Sequence, residues 1–222
     1  MANLTVILFL CATVPMGPAL YMIPDKRSRL FLGYMLLGMV VCLIASEINS
    51  LLLSFYGGDT HFVSCNITPI VEEVLKALPV LYFAFFFSDD RDTLLSISFA
   101  MGLGFAILEN MVILVGSLSR VTIPWAIVRG FGAASMHSAC TSMVGRGIVY
   151  VHKRRKLFYC GTFSLLIYAV IAHALFNTLI QSQSRPAAYG VVLAIYIPQL
   201  FGLGRNILSQ RRNAADQKNL SQ

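Results

Sequence analysis

The chain has 222 residues, of which 57% are hydrophobic and only 12% are charged, and its mean hydropathy is +0.72. A soluble domain carries about 25% charged residues, so this composition excludes a soluble enzyme, a nucleic-acid-binding module and a disordered chain. The net charge of +7 is therefore assigned to basic loops at a membrane surface rather than to a DNA-binding face. The composition predicts an integral membrane protein with the lipid bilayer as its partner and no nucleic acid.

Long apolar stretches divide the chain into predicted membrane spans. A helix that crosses the hydrocarbon core of a bilayer needs about 20 mainly apolar residues. Seven stretches meet this requirement, at about 3–23, 31–55, 67–87, 94–116, 123–150, 157–181 and 187–204. We therefore predict an all-α, polytopic membrane helix bundle with about seven transmembrane helices. The prediction gives one domain over 1–209 and a polar cytoplasmic tail over 210–222.

Basic residues are distributed unevenly between the predicted loops. If the N-terminus lies outside, twelve of the 17 Lys and Arg residues fall in inner loops or in the tail, and two fall in outer loops. Cytoplasmic loops carry an excess of Lys and Arg. The distribution therefore favours an N-out, C-in multi-pass protein of the cell membrane.

Nine ionisable residues lie inside the predicted spans. Each of them costs a few kcal/mol or more at the bilayer centre, so such residues usually face a protein interior or a cavity and serve a function. Two of the nine receive structural interpretations. Glu47 is interpreted as an interhelical contact, and Arg146 as a side chain that extends to the inner surface. The other seven are candidate site residues.

The third span carries two adjacent glutamates and a lysine, Glu72, Glu73 and Lys76. Lys76 can pair with Glu72 at spacing i,i+4 or with Glu73 at spacing i,i+3. Adjacent residues diverge by about 100° around a helix, so the carboxylate that Lys76 does not hold can point into a cavity. The structural alternative is an ion pair that ties helices together, and the presence of two adjacent glutamates makes it less favoured.

The next three spans each add polar groups. Glu109 lies in the fourth span, Arg129 precedes His137 by eight residues in the fifth, and His173 and Asn177 share one face at i,i+4 in the sixth. For each, a hydrogen-bonded helix contact is the structural alternative. Counting about 1.5 Å per residue places Glu73, Glu109 and His173 about 9 to 12 Å below the outer ends of their helices, and His137 deeper, near 18 Å. We expect these groups to share a cavity that opens toward the outer face.

Such a set of groups is suited to hydrolysis of a peptide bond. One carboxylate takes a proton from water, and the water attacks the carbonyl. His and Asn donors, or a bound metal, then stabilise the oxyanion. His137, His173 and Glu109 can form a His₂Glu zinc site with water in the fourth position. The alternative has no cofactor: a glutamate acts on water that the histidines align.

The ordered motifs of this chain resemble those of the PrsW family, within the wider group of CAAX-protease and bacteriocin-processing membrane proteases. The resemblance rests on four motifs in a core of about 67–181, which are EEVLK (Glu72 to Lys76), FAILEN (Phe105 to Asn110), the Arg129…His137 pair and HALFN (His173 to Asn177). The CAAX branch tends to have Arg one position after Lys76 and a histidine where Glu109 stands. Prenylated substrates are therefore less favoured.

This resemblance implies an intramembrane protease that acts from the outer side on a single-pass membrane protein, such as an anti-sigma factor in a stress response. It implies that Glu72 and Glu73 carry the activating carboxylate, and that His137 and His173 bind the water, metal or oxyanion. By the same resemblance, Asn177 is an oxyanion donor. Glu109 completes the predicted catalytic set, and Lys76 and Arg129 have supporting roles.

Two other functions fit a membrane bundle with internal charges. The first is a non-catalytic scaffold or regulator with the same fold, which has no need for both Glu72 and Glu73. The second is a proton-coupled transporter, because chains of carboxylates and histidines relay protons. The sequence has no inverted repeat with matching Gly/Pro breaks, which transporters often have.

Overall fold

The computed structural model describes residues 2–117, 122–181 and 190, and every element in these ranges is helical. The predicted all-α class is thereby confirmed. In chain order the elements are α1 (Ala2–Thr13), α2 (Met16–Met22), α3 (Lys26–Phe55), α4 (Thr60–Phe62), a π-helical turn (Val63–Ile67), α5 (Thr68–Phe86), α6 (Arg91–Gly116), α7 (Ile123–Ile148) and α8 (Arg155–Gln181).

Four helical segments of the described residues are long and apolar enough to cross a membrane: Leu4–Met22, α3, α6 and α8. The chain is therefore a multi-pass membrane protein. α5 and α7 match two further predicted spans, but α5 carries three ionisable residues within its 19. The seventh predicted span, 187–204, lies outside the described residues apart from position 190, as does the tail at 210–222. The count of seven and the N-out, C-in orientation stay predictions.

Two aspartates determine where long helices begin. Asp25 accepts hydrogen bonds from the backbone N–H and the hydroxyl of Ser28, at 2.7 and 2.6 Å, and so caps α3. Asp90 caps α6 in the same way, with bonds of 2.9 and 2.7 Å from Thr93. Such caps satisfy backbone donors that the first helical turn leaves without partners. α3 therefore begins at Lys26, five residues before the apolar stretch predicted at 31.

Glycines in α3 and α6 let three helices approach closely at the centre of the bundle. A Cβ atom at Gly102 in α6 would lie 2.6 Å from the carbonyl carbon of His137 in α7, and one at Gly104 would lie 2.6 Å from that of Met35 in α3. A Cβ at Gly38 would meet the carbonyl oxygen of Met101. Small residues at helix crossings permit this backbone packing in membranes. The α6–α7 crossing directly sets the position of His137.

Candidate active site

α5 directs its charged residues into the bundle and its apolar residues outward. The side chains of Glu72, Glu73 and Lys76 are buried, with residue exposures of 5%, 1% and 0%. Apolar residues spaced four apart on the outer face, Ile70, Val74 and Leu78, are exposed instead. This polarity is the one expected of a helix in lipid, where ionisable side chains face the bundle interior. The predicted burial of the EEVLK motif is therefore observed.

Glu73 is the most heavily bonded carboxylate of the site. Its Oε1 atom accepts hydrogen bonds from Lys76 Nζ at 2.6 Å and from His173 Nδ1 at 2.8 Å. Of the two pairings open to Lys76, the structure thus has the i,i+3 pair. A buried charge is tolerated when it is paired and hydrogen-bonded. Glu73 therefore links α5 to α8 and orients the His173 ring.

His137 connects Lys76 to Glu109. Lys76 Nζ lies 2.8 Å from His137 Nδ1, and His137 Nε2 lies 3.1 Å from Glu109 Oε2. An ammonium group only donates, so His137 Nδ1 accepts a hydrogen bond from Lys76. The ring proton is therefore on Nε2, which donates a hydrogen bond to Glu109. Phe105 packs beside both, with its ring centroid 5.0 Å from the His137 ring and 4.7 Å from Lys76 Nζ. The deeper position predicted for His137 does not separate it from the other groups.

Glu109 and Arg129 form the more exposed edge of the cluster. Arg129 Nη2 lies 3.8 Å from Glu109 Oε1, and the two side chains are 16% and 25% exposed. A pair at this distance and exposure contributes little stability. Its effect is to neutralise Glu109 while the other Glu109 oxygen accepts from His137.

The side chain of Glu72 has fewer hydrogen-bond partners than that of Glu73, although Oε2 of each glutamate is buried without a partner among the described residues. Glu72 Oε1 accepts from Asn49 Nδ2 at 3.4 Å, whereas its buried Oε2 has no hydrogen-bond partner among the described residues. His173 Nε2 lies 3.8 Å from that oxygen. The rings of His137 and His173 meet edge to face, with centroids 4.8 Å apart. Glu72 Oε2 thus faces the two imidazoles with capacity to bind a further group.

These three residues form a group that can hold a metal ion. Glu72, His137 and His173 each offer one ligand atom, and the three atoms lie within 4.8 Å of one another. Two imidazoles and a carboxylate are a donor set that zinc accepts. Glu72 Oε2 has no hydrogen-bond partner among the described residues and lies 3.8 Å from His173 Nε2, while His137 has to exchange its contact with Lys76. The residues present therefore fit a metal, with Glu72 rather than Glu109 grouped with the histidines.

Asn177 lies one turn after His173, as predicted, but its amide is engaged by backbone. Asn177 Nδ2 donates to the carbonyl oxygen of Ser64 in the π-helical turn at 2.9 Å. Gln181, one turn further, donates to the Ser64 hydroxyl at 2.9 Å. These bonds tie the end of α8 to the chain that enters α5, and so hold His173 against Glu73.

The sequence reasoning missed Asn49. Its interpretation of α3 singled out Glu47, which the structure places on the exposed surface, whereas the half-buried Asn49 reaches Glu72. The helical spacing of the buried residues in α3 indicates this position of Asn49. Buried residues of α3 include Val41 and Ala45, and a further step of four residues along the same face gives Asn49.

Four helices therefore bring the predicted residues into one connected cluster. Its contacts run from Arg129 through Glu109, His137, Lys76 and Glu73 to His173, with Glu72 beside His173. Of the predicted site residues, Asn177 is one turn away from this chain of contacts. Each member comes from a motif that resembles the PrsW pattern.

The comparisons with known proteins agree with these motifs. The profile of the PrsW family of intramembrane metalloproteases matches residues 26–203. Neither a curated protein nor a solved structure matched the chain. The match covers most of the 222 residues and all four motifs, and the chain belongs to the PrsW family of intramembrane metalloproteases.

Proposed function

We propose that this protein hydrolyses a peptide bond of a membrane-anchored substrate, with Glu72 as the carboxylate that activates water. The observation that carries the proposal is the pair of adjacent buried glutamates with unequal partners. Glu73 Oε1 accepts two short hydrogen bonds, whereas the Glu72 side chain accepts one of 3.4 Å from Asn49. Oε2 of each glutamate has no partner among the described residues. A general base needs an accessible lone pair within reach of the reacting water. Glu72 satisfies this requirement better than Glu73, because its free Oε2 lies 3.8 Å from His173 Nε2 and Glu72 is grouped with the two histidines, whereas Glu73 is paired with Lys76.

Glu73 then acts as the group that orients His173. Because Nδ1 of His173 donates to Glu73, the neutral ring presents the lone pair of Nε2 on the side of Glu72. A carboxylate that accepts from one ring nitrogen of an imidazole holds the ring in one tautomer, so that the other nitrogen faces the reacting group. Lys76 keeps Glu73 ionised by direct pairing, so the tautomer of His173 is maintained during the reaction.

Donors are needed where negative charge develops on the substrate carbonyl oxygen. His137 Nε2–H is one candidate, provided that Glu109 releases it, and the Asn177 amide is the other. Asn177 now donates to Ser64 O, so its use as an oxyanion donor requires a rotation of its side chain when substrate binds. The His137 ring contacts the His173 ring, and Asn177 lies one turn after His173 in α8.

We also propose that Glu72, His137 and His173 hold the metal ion that the family description implies, and zinc suits the donor set. When bound, such an ion polarises the scissile carbonyl and activates water. Glu73 would orient His173 in the same way with or without it. His137 would have to release Lys76, because its Nδ1 now accepts from the ammonium group and its Nε2 donates to Glu109. In the metal-free alternative, Glu72 binds no ion and its free Oε2 deprotonates water.

The substrate that the family resemblance suggests is a single-pass membrane protein such as an anti-sigma factor, cut near the outer face. Supporting this class, the cluster lies within helices, and the carboxylates of Glu72 and Glu73 are buried from bulk water. The charges also extend sideways through neighbouring helices rather than forming a ladder along one helix. This arrangement favours a local reaction over proton transport.

The proposal is tested by co-expression with tagged single-pass membrane proteins, anti-sigma factors included, followed by mass analysis of any clipped fragment. Digestion of the responsive substrate by the purified protein in H₂¹⁸O should place one ¹⁸O atom in the new C-terminal carboxylate. Cleavage of no substrate, together with ion flux in proteoliposomes, would contradict the protease proposal and favour a transporter. The absence of both activities would favour a scaffold.

A further inference from the structure

A separate set of cavities surrounds the first turns of α3, far from the ionisable cluster. The largest has a volume of about 580 Å³ and is lined by residues of α3, α5, α6 and the 87–90 loop, namely Lys26, Arg27, Leu30, Tyr34, Phe83, Phe87, Ser88 and Thr93. Two smaller cavities of about 320 and 200 Å³ adjoin it, and all three share Leu30. We call the three together the α3 groove.

The charges of the α3 groove are mainly positive. Lys26, Arg27 and Arg29 line it, and no carboxylate lies within salt-bridge distance of them in the part of the chain that the structure describes. The largest cavity has no acidic lining residue, and Asp92 lines only the smallest. The groove thus combines unpaired cations with an apolar interior.

Apart from Asp92, which lines the smallest cavity beside Arg27, three acidic residues near the groove are engaged elsewhere. Hydrogen bonds from the Ser28 side chain and backbone hold the pKa of Asp25 below its usual range, and those from Thr93 lower the pKa of Asp90, with a smaller contribution from Arg27. Asp89 pairs with Lys153 at 3.6 Å. These carboxylates cap helices or bind another loop, and none of them forms a salt bridge with a groove cation among the described residues, although Asp25 and Asp90 interact electrostatically with Arg27.

The interior of the groove suits an acyl chain. Leu30, Tyr34, Phe83 and Phe87 form its apolar walls, and Phe87 is 68% exposed. Tyr82 and Phe86 add exposed aromatic surface at the same end of α5. Tyr and Trp side chains concentrate at the level of lipid head groups. A volume of this size lies within the range typical of small-molecule sites, about 300–1,000 Å³.

We propose that the α3 groove binds an anionic phospholipid, with the phosphate at Lys26 and Arg27 and one acyl chain against Leu30, Tyr34 and Phe83. Basic pockets between transmembrane helices are suited to anionic head groups. The lipid is not a substrate. Phe83 follows Glu72 by 11 residues in α5, about 16 Å along the axis, and Thr93 precedes Glu109 by 16 residues in α6, about 24 Å.

Binding at this position connects the lipid to the helix that carries the EEVLK motif. Tyr34 in the groove wall donates a hydrogen bond of 3.1 Å to the carbonyl oxygen of Pro79, one turn after Lys76. A proline within a helix removes one backbone hydrogen bond, here the one that the Leu75 carbonyl would accept. The Tyr34 bond holds α3 against α5 one turn after that carbonyl. An occupied groove holds α3 and α5 together at that point.

Native mass spectrometry of the purified full chain in detergent tests this proposal. The probes are palmitoyl-oleoyl phosphatidylglycerol, phosphatidylcholine with the same chains, and glycerol 3-phosphate. The wild-type protein should retain phosphatidylglycerol in preference to phosphatidylcholine, and glycerol 3-phosphate should not displace it. The double variant Lys26→Gln/Arg27→Gln should bind phosphatidylglycerol about thirtyfold more weakly, from the loss of two charges near a lipid surface.

The double variant Arg154→Gln/Lys156→Gln is the matched control. It removes the same charge from exposed positions at the start of α8, next to the Lys153–Asp89 contact at the same end of the bundle, and it should bind phosphatidylglycerol like the wild type. Ser88→Glu, which keeps both cations but adds a carboxylate to the groove, should also weaken binding. Equal loss in the two double variants, equal retention of phosphatidylcholine, or displacement by glycerol 3-phosphate would overturn the proposal.

Discussion

Lys76 and His137, 61 residues apart in sequence, are joined by a buried hydrogen bond of 2.8 Å between Nζ and Nδ1. The bond determines which nitrogen of His137 carries a proton, because the ammonium group cannot accept. It also links α5 to α7 at the level where Glu73 binds α8. Lys76 therefore connects the Glu73–His173 pair to the His137–Glu109 pair.

Replacement of Lys76 should destabilise the fold. Lys76→Met leaves Glu73 without its cation, and removal of one partner from a buried pair costs about 3 to 5 kcal/mol. We expect a loss near the lower end of that range, because His173 still donates to Glu73. Thermal unfolding in detergent measures it. The double variant Glu73→Gln/Lys76→Met should lose less than the sum of the two single variants, and strictly additive losses would contradict the coupling.

Asn49 should contribute to cleavage by holding Glu72. Asn49→Ala removes the only hydrogen bond that Glu72 receives among the described residues, and a bond of this kind is worth about 0.5 to 1.5 kcal/mol. We expect cleavage to slow about three- to tenfold with the amount of membrane-inserted protein unchanged. Glu47→Ala, at an exposed position two residues away, serves as the control. Equal effects of the two substitutions would argue against the assigned role.

Gly102 should tolerate no side chain. A Cβ atom there would collide with the backbone of His137 and Ser138, so Gly102→Ala should push α7 away from α6. Overpacking of this kind costs about 1 to 3 kcal/mol of folding stability. The displacement of His137 should also slow cleavage by the protein that remains folded. Gly130→Ala is the matched control, because nothing lies within 4 Å of a Cβ at that position. Normal cleavage by Gly102→Ala would show that the crossing does not position His137.

Metal content should follow the Glu72, His137 and His173 group. Wild-type protein purified without chelators should carry about one zinc equivalent, and Glu72→Gln and His173→Ala should lose it, since each removes a ligand from the three-donor set. Glu109→Gln should retain the metal. Elemental analysis and cleavage before and after exhaustive chelation provide the measurements. Full cleavage by metal-free protein would establish the mechanism in which Glu72 acts without a cofactor.

Periodicity and hydropathy predicted the helices well where the boundary is apolar. The predicted span at 67–87 is close to α5 (Thr68–Phe86), and the span at 157–181 to α8 (Arg155–Gln181). The prediction at 31–55 missed the first turn of α3, because that turn is polar and is stabilised by the Asp25 cap. A hydropathy average does not detect such a local hydrogen bond.

The contacts within the site were less accessible to sequence reasoning. Helical spacing allowed Lys76 to pair with either glutamate, and the packing of α8 against α5 selects Glu73 by placing His173 on the same oxygen. Depth counted along α7 put His137 below its neighbours, whereas the crossing at Gly102 determines where it actually lies. Grouping of Glu72 rather than Glu109 with the histidines likewise depends on interhelical geometry.

The most direct test of the account is the rate at which Glu72→Gln and His173→Ala cleave a responsive substrate in proteoliposomes, with Glu47→Gln as the matched carboxylate control. Gln keeps the shape of Glu72 but cannot take a proton from water, and Ala removes the imidazole that faces it. We predict that both site variants insert normally and lose cleavage by about a hundredfold or more, within the range of general-base catalysis, while Glu47→Gln cleaves like the wild type. Wild-type cleavage rates in Glu72→Gln and His173→Ala would contradict the assignment of this cluster as a hydrolytic site.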